Sequence, residues 1–294
     1  MESLITEFLL WDNCKNNCSF CHLKCKKSYS SFLNNDEKEK SIKAAKDYIS
    51  GPRFLFGSSI LLCGGELFDT PFTKGQKEQF DSLANIIFSK TGWGVIPSVF
   101  VNTNLIYDIN TELTWFLDIA KKYHVINKIN FTTSFDLVGR YSSDSDKRLV
   151  KDNIHKLHIL YPDLRITANM ILTRPVCNLL INEDISYLGL QQDIGATINL
   201  IPYIILKDDL APSKKTLFSA LDTINAQVLG FIQDLATRFD TEPKRLLFKF
   251  YNGEFHNQTS EILSCGHSAN FSLYSKEGTC FVCDLKNHIK ELEK

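Results

Sequence analysis

The sequence predicts an α/β fold of six successive βα units followed by a smaller appended module. Three observations carry this reading. Six short runs of apolar and β-branched residues alternate with stretches of helical length and pattern. The residues with most chemistry to offer gather just after the carboxyl ends of the β-like runs. Beyond residue 206 the alternation gives way to one long helix and a polar tail that carries three cysteines.

The strands are read, in order, at LITEFLLW from Leu4, SSILLC from Ser58, PSVFVN from Pro97, KINFTTS from Lys128, LRITANMIL from Leu164 and TINLIPYI from Thr197. Each is bounded by turn residues. Helices are expected at Asp36 to Ile49 after a cap-like NND, at Gln76 to Ser89, Thr111 to Tyr123, Asp144 to Leu160 and Asn182 to Gly189. A long one follows from Ser213 to Phe239, with AP at its entry and TEP beyond its exit. Such alternation implies parallel strands joined by crossovers, as an open doubly wound sheet or a partial barrel. Either arrangement collects reactive groups at the strands' carboxyl ends. After the last helix, RLLFKFYNGEF reads as a strand, and the tail as a hairpin and a short helix.

The chain has 294 residues, 44% hydrophobic and 23% charged, enough to bury a core without disulfide staples. Its net charge of −1 neither indicates nor excludes a nucleic-acid partner. No stretch approaches the roughly 18 apolar residues of a membrane span, and no signal peptide is evident. A cytoplasmic location is expected, where thiols stay reduced. Nine cysteines, an odd number, also argue against complete disulfide pairing.

Four cysteines, Cys14, Cys18, Cys21 and Cys25, fall in the loop after the first strand, in WDNCKNNCSFCHLKC. The first three are spaced C-x3-C-x2-C. Thiolates at this spacing suit an iron–sulfur cluster or zinc. A tetrahedral zinc site would need Cys25 or His22 to complete it, because no second C-x2-C knuckle follows nearby. After the second strand comes CGGE. Gly64 and Gly65 let the backbone approach a ligand, and the Glu66 carboxylate suits an ammonium group. Alone, this is also what a strand-end turn looks like.

Together these residues resemble the radical S-adenosylmethionine (radical SAM) superfamily. The cysteine motif carries an aromatic, Phe20, before its third cysteine, and GGE stands one βα unit later. The resemblance covers residues 4 to 205. It implies a partial (β/α)6 barrel over residues 1–205, with residues 206–294 as a helix and cysteine-bearing extension. It implies a 4Fe–4S cluster on Cys14, Cys18 and Cys21, with S-adenosylmethionine on the open iron. Gly64, Gly65 and Glu66 would hold the cofactor's amino group. Reductive cleavage would give a 5′-deoxyadenosyl radical that abstracts hydrogen from a peptide or small-molecule substrate. Epimerisation, crosslinking, oxidation or rearrangement would follow. A low-potential donor such as flavodoxin or ferredoxin is implied, and oxygen sensitivity with it. Cys25 would not be a ligand. Leu67 stands where many relatives have proline.

TTSFDLVGRY after the fourth strand resembles the segment that contacts ribose and methionine carboxylate. Ser134 and Asp136 would then bond hydroxyls and Arg140 the carboxylate. A strand-end turn with Asp136 capping is the plainer alternative. Asn102, Asn104 and Asn169 are candidate polar contacts inside the barrel. His155 and His158 fall on an outer helix, and Cys63 and Cys177 read as packed thiols. Of these two, Cys177 is expected in a loop facing the active site.

In the tail, Cys265, Gly278 and Cys283 follow C-x12-G-x4-C, which resembles the opening of SPASM and twitch modules. Cys280 adds a C-x2-C. With no cysteine after Cys283, a two-cluster set is not expected. Cys265, Cys280 and Cys283 would bind one auxiliary 4Fe–4S cluster, with His267 or Cys177 among the candidates for a fourth ligand, or a zinc ion with His267. The first strand begins close to Met1, so a separate amino-terminal peptide-recognition domain is not expected, which weakens the peptide reading. Three rivals remain at this point, one of them a degenerate core that keeps the fold and binds S-adenosylmethionine without cleaving it. Another is a radical SAM enzyme that modifies a nucleotide or nucleic acid. The third is a non-catalytic zinc-binding interaction protein.

Overall fold

The computed structural model of the chain describes residues 5–11, 14–16, 18, 35–202, 209–213, 215–224 and 226–227. Six strands form one parallel sheet in the order β1-β2-β3-β4-β5-β6. They are β1 (Ile5–Trp11), β2 (Ser59–Gly64), β3 (Val99–Asn102), β4 (Ile129–Ser134), β5 (Arg165–Leu172) and β6 (Thr197–Pro202). Between them lie α1 (Asn35–Ser50), α2 (Lys74–Gly92), α3 (Glu112–Lys122), α4 (Asp144–Leu160), α5 (Arg174–Ile181) and α6 (Tyr187–Ile194). The order runs without reversal. A doubly wound sheet reverses its strand order at a switch point, whereas a (β/α)6 partial barrel does not. Of the two arrangements the alternation allowed, the fold is the partial barrel.

The chain divides within β5 into two compact units, Met1–Asn169 and Met170–Lys294. In the first unit the pleat sorts side chains by face. Ile60, Leu62, Val99, Val101, Ile129, Phe131, Ile166 and Ala168 are buried. The alternate residues are more open and mostly polar. The register places Asn102 beside Thr132, Thr132 beside Thr167 and Ser134 beside Asn169. One face of the sheet is thus apolar and the other carries rows of hydroxyl and amide groups.

The helices obey their local signals. Thr73 and Gln76 form a capping box that starts α2, and Ser143 with Asp146 starts α4 at the expected Asp144. Both α2 and α3 bury aromatic side chains. Phe80, from α2, lies 5.7 Å from Phe116 of α3 and 6.2 Å from Phe68, ring centre to ring centre.

One expected element is corrected. The helix expected at Asn182 to Gly189 straddles a break between α5 and α6. Pro175 sits in the first turn of α5, where its missing N–H costs nothing. Glu183 turns left-handed at φ 59°, and the Ser186 side chain caps α6 by accepting from the Gly189 N–H. Gly195, at φ 68°, ends α6. In the second unit the Tyr187 hydroxyl donates to the Ile198 carbonyl at 2.7 Å, and residues 215–224 are helical. The expected boundary at residue 206, the rest of the long helix and the whole cysteine-bearing tail lie outside the described residues. Among those described, no helix is long and apolar enough to cross a membrane.

Candidate functional site

The strand ends of the first unit build a site from four loops, those after β1, β2, β3 and β4. At the end of β1 the pairing shifts: Leu9 faces Cys63 but Trp11 faces Gly64, so Leu10 forms a bulge. Gly64 sits at φ 144°, a conformation L side chains rarely adopt, and this takes the chain out of β2. The turn delivers Glu66 into the interior, 1% exposed.

Glu66 ties the β2 loop to the β3 loop. Its Oε1 accepts from the Phe68 N–H at 3.3 Å and the Thr103 hydroxyl at 3.0 Å. Its Oε2 accepts from the Asn104 N–H. Since Thr103 donates to the carboxylate, the Tyr107 hydroxyl 2.6 Å away donates to Thr103. Burial pushes the Glu66 carboxyl up to about 7, against the three bonds that favour its charge.

Three residues further, Asp69 reaches back to the cysteine loop. It accepts the Lys15 N–H at 2.9 Å through Oδ2, and its carbonyl accepts the Lys15 ammonium. Thr70 donates to its Oδ1 at 2.8 Å. The segment between Cys14 and Cys18 is therefore clamped from the β2 side.

The β3 loop is held just as closely. Leu105 is fully buried in the left-handed region at φ 56°, a strained place for leucine. Asn153 of α4 offsets this by donating to the Leu105 and Tyr107 carbonyls at 2.9 and 2.8 Å. Asn104 Oδ1 accepts the Ile106 N–H at 2.7 Å, which fixes the amide's orientation. Its Nδ2 then faces Cys14 Sγ at 3.5 Å.

From the β4 end, Asp136 and Arg140 form an ion pair, with side chains 0% and 13% exposed. Asp136 is buried and accepts from Arg140 Nε. Arg140 Nη1 points at Cys18 Sγ at 3.5 Å. Asn16 spans both thiols: its N–H lies 3.4 Å from Cys14 Sγ and its Nδ2 3.4 Å from Cys18 Sγ.

The two described thiols of the motif are thus partly buried, unbridged and ringed by N–H donors, one of them cationic. Without metal, burial pushes Cys14 up to about 11. A shell of N–H donors on sulfur suits thiolates rather than thiols, and thiolates are what iron–sulfur clusters and zinc bind. The donor set fits a thiolate-bound metal centre. Cys21, Cys25 and His22 lie outside the described residues, as do Cys265, His267, Cys280 and Cys283. Among the described residues no three metal-binding side chains converge.

Of the other expected residues, Asn102 is exposed at the end of β3, and Ser134 is half-buried with its carbonyl accepting the Tyr141 hydroxyl at 3.0 Å. Asn169 accepts the Phe135 N–H at 2.8 Å through its carbonyl. Cys177 is not in a loop: it lies in α5, fully buried, and burial pushes its thiol up to about 12. Cys63 donates to the Glu7 carboxylate at 3.0 Å. Sequence reasoning missed Asp69, Asn16 and Asn153. A polar residue just beyond GGE and an Asn between the cysteines were the signals available for the first two.

No protein-family model matches the chain, and no curated protein matches it. Among solved structures, it is similar to a polyhistidine-tagged anSMEcpe with bound AdoMet, at 14% identity and a TM-score of 0.51. The match covers 88% of this chain and 65% of that one, so this chain spans about two thirds of that structure's length. Likeness at this level establishes a shared fold.

Proposed function

We propose that the chain is a radical SAM enzyme, with Cys14, Cys18 and Cys21 holding a 4Fe–4S cluster. The observation that carries this is the convergence of Asn16, Asn104 and Arg140 on the Cys14 and Cys18 sulfurs at the strand ends. The fold shared with an AdoMet-bound radical SAM enzyme supports it. Bound there, cluster and S-adenosylmethionine supply one-electron cleavage of the sulfonium and abstraction of a substrate hydrogen atom.

The chain's residues do the rest. Asp69 and Lys15 hold the cysteine loop in place. The Gly64–Gly65 backbone and Glu66 receive the cofactor's ammonium group, and Glu66 also keeps the β2 and β3 loops in register. Asn102, Ser134 and the Thr132–Thr167 row line the polar sheet face, which suits a hydrogen-bonding substrate, peptide or small molecule. A low-potential protein donor supplies the electron. The tail residues Cys265, Cys280 and Cys283, with His267, bind a second centre, cluster or zinc.

Anaerobic reconstitution followed by iron, sulfide and zinc counting tests the reading. About four irons per chain, lost in Cys18→Ala and kept in Cys25→Ala, is the expected result, with about four more if the tail holds a cluster. Zinc in place of iron, lost with Cys25→Ala, would instead make this a structural zinc loop.

A further inference from the structure

Two donors on the cysteine sulfurs come from outside the cysteine loop, and neither belongs to a ligand residue. Asn104 arrives from the β3 loop and Arg140 from the β4 loop. Both are held by bonds that leave little freedom. Asn104 is fixed at its N–H by Glu66 and at its Oδ1 by Ile106. Arg140 is fixed at Nε by Asp136. Asn104 presents an Nδ2 N–H to Cys14 and Arg140 an Nη1 N–H to Cys18.

We infer that Asn104 and Arg140 set the reduction potential of the centre on Cys14 and Cys18, and that Asp136 trims the contribution of Arg140. This rests on the proposed 4Fe–4S cluster. Gaining one electron adds a negative charge to the cluster and its thiolates. A donor aimed at sulfur stabilises the more negative form, and so raises the potential. The Arg140 guanidinium adds a full charge in a mostly buried place, where solvent screens it weakly. The Asp136 carboxylate offsets that charge from the far side of the guanidinium. The three residues are positioning and tuning residues, and the signs of their effects differ.

The test is a redox titration of the full chain, reconstituted anaerobically, with dithionite supplying the electron and the reduced cluster read by electron paramagnetic resonance. Asn104→Ala and Arg140→Gln are expected to lower the midpoint. Asp136→Asn is expected to raise it. An effect of about tenfold on the reduced-to-oxidised ratio at fixed potential is about 59 mV for a one-electron couple. A merely structural role would not give opposite signs across one ion pair. Midpoints that stay together, or Asp136→Asn moving with Arg140→Gln, would overturn the inference while leaving the cluster in place. A wild-type chain that takes up no cluster would overturn the parent reading instead. Should the variants fail to hold iron, electron–nuclear double resonance on the wild type decides. In a chain labelled with nitrogen-15 arginine, coupling of the reduced cluster to a guanidinium nitrogen supports the inference, and its absence overturns it.

Discussion

Glu66 is a carboxyl with almost no contact with water, and its three donors do not fully compensate for that burial. Its ordinary value is 4.5 and its folded value about 7, so folding favours the protonated form. The stability it contributes is therefore complete below pH 4.5 and lost as pH rises through about 7. The swing is up to about 3 kcal/mol, taking about 1.36 kcal/mol per unit. A melting scan of the iron-free protein from about pH 5 to 8 should show Tm falling, with Glu66→Gln flattening the fall. An unchanged slope in the variant would place the titration elsewhere. Asp69 gives a second expectation. Asp69→Ala removes the acceptor for the Lys15 N–H, so iron uptake on reconstitution should drop several-fold while the far-ultraviolet circular dichroism stays native. At this scale the sequence was legible where spacing is the message: C-x3-C-x2-C and GGE need no partner to be seen. The pairing of Asp136 with Arg140 was not legible, because it depends on Arg140 turning back four residues while reaching toward a cysteine far away in the chain.

The elements that present the site are strand ends, and their loops are held by residues from neighbouring helices. The loop after β3 is the clearest case. Leu105 in a left-handed conformation is disfavoured, and Asn153 of α4 holds it there with two hydrogen bonds. Asn153→Leu would leave two buried carbonyls unsatisfied, a cost of about 1–3 kcal/mol each. A lowered denaturant midpoint with loss of the Asn104–Cys14 contact is expected. A variant as stable as wild type would show that the loop holds itself. Strands were read within about two residues wherever apolar alternation was strong, and α4 began where its capping box starts it. The segment after β5 was misread. The polar cluster at Asn182 to Asp184 looked like a helix start but is the break between two short helices. The Pro175 start and the Gly195 stop were the better punctuation.

The whole molecule joins a parallel sheet, read without reversal, to a set of thiols at the carboxyl ends of its strands. The class was legible because six alternating periods leave few topologies to choose from. The assembly of the site was not, since Glu66, Asp69, Asn104, Asp136 and Arg140 meet only once β1 to β4 are laid side by side. The central claim is that this assembly supports reductive cleavage of S-adenosylmethionine. The most direct measurement is 5′-deoxyadenosine formation by the anaerobically reconstituted chain with dithionite and S-adenosylmethionine. The account predicts 5′-deoxyadenosine and methionine in equal amounts, abolished in Cys18→Ala. A chain loaded with a full iron–sulfur cluster that forms neither product, or a Cys18→Ala variant that still forms both, would contradict it.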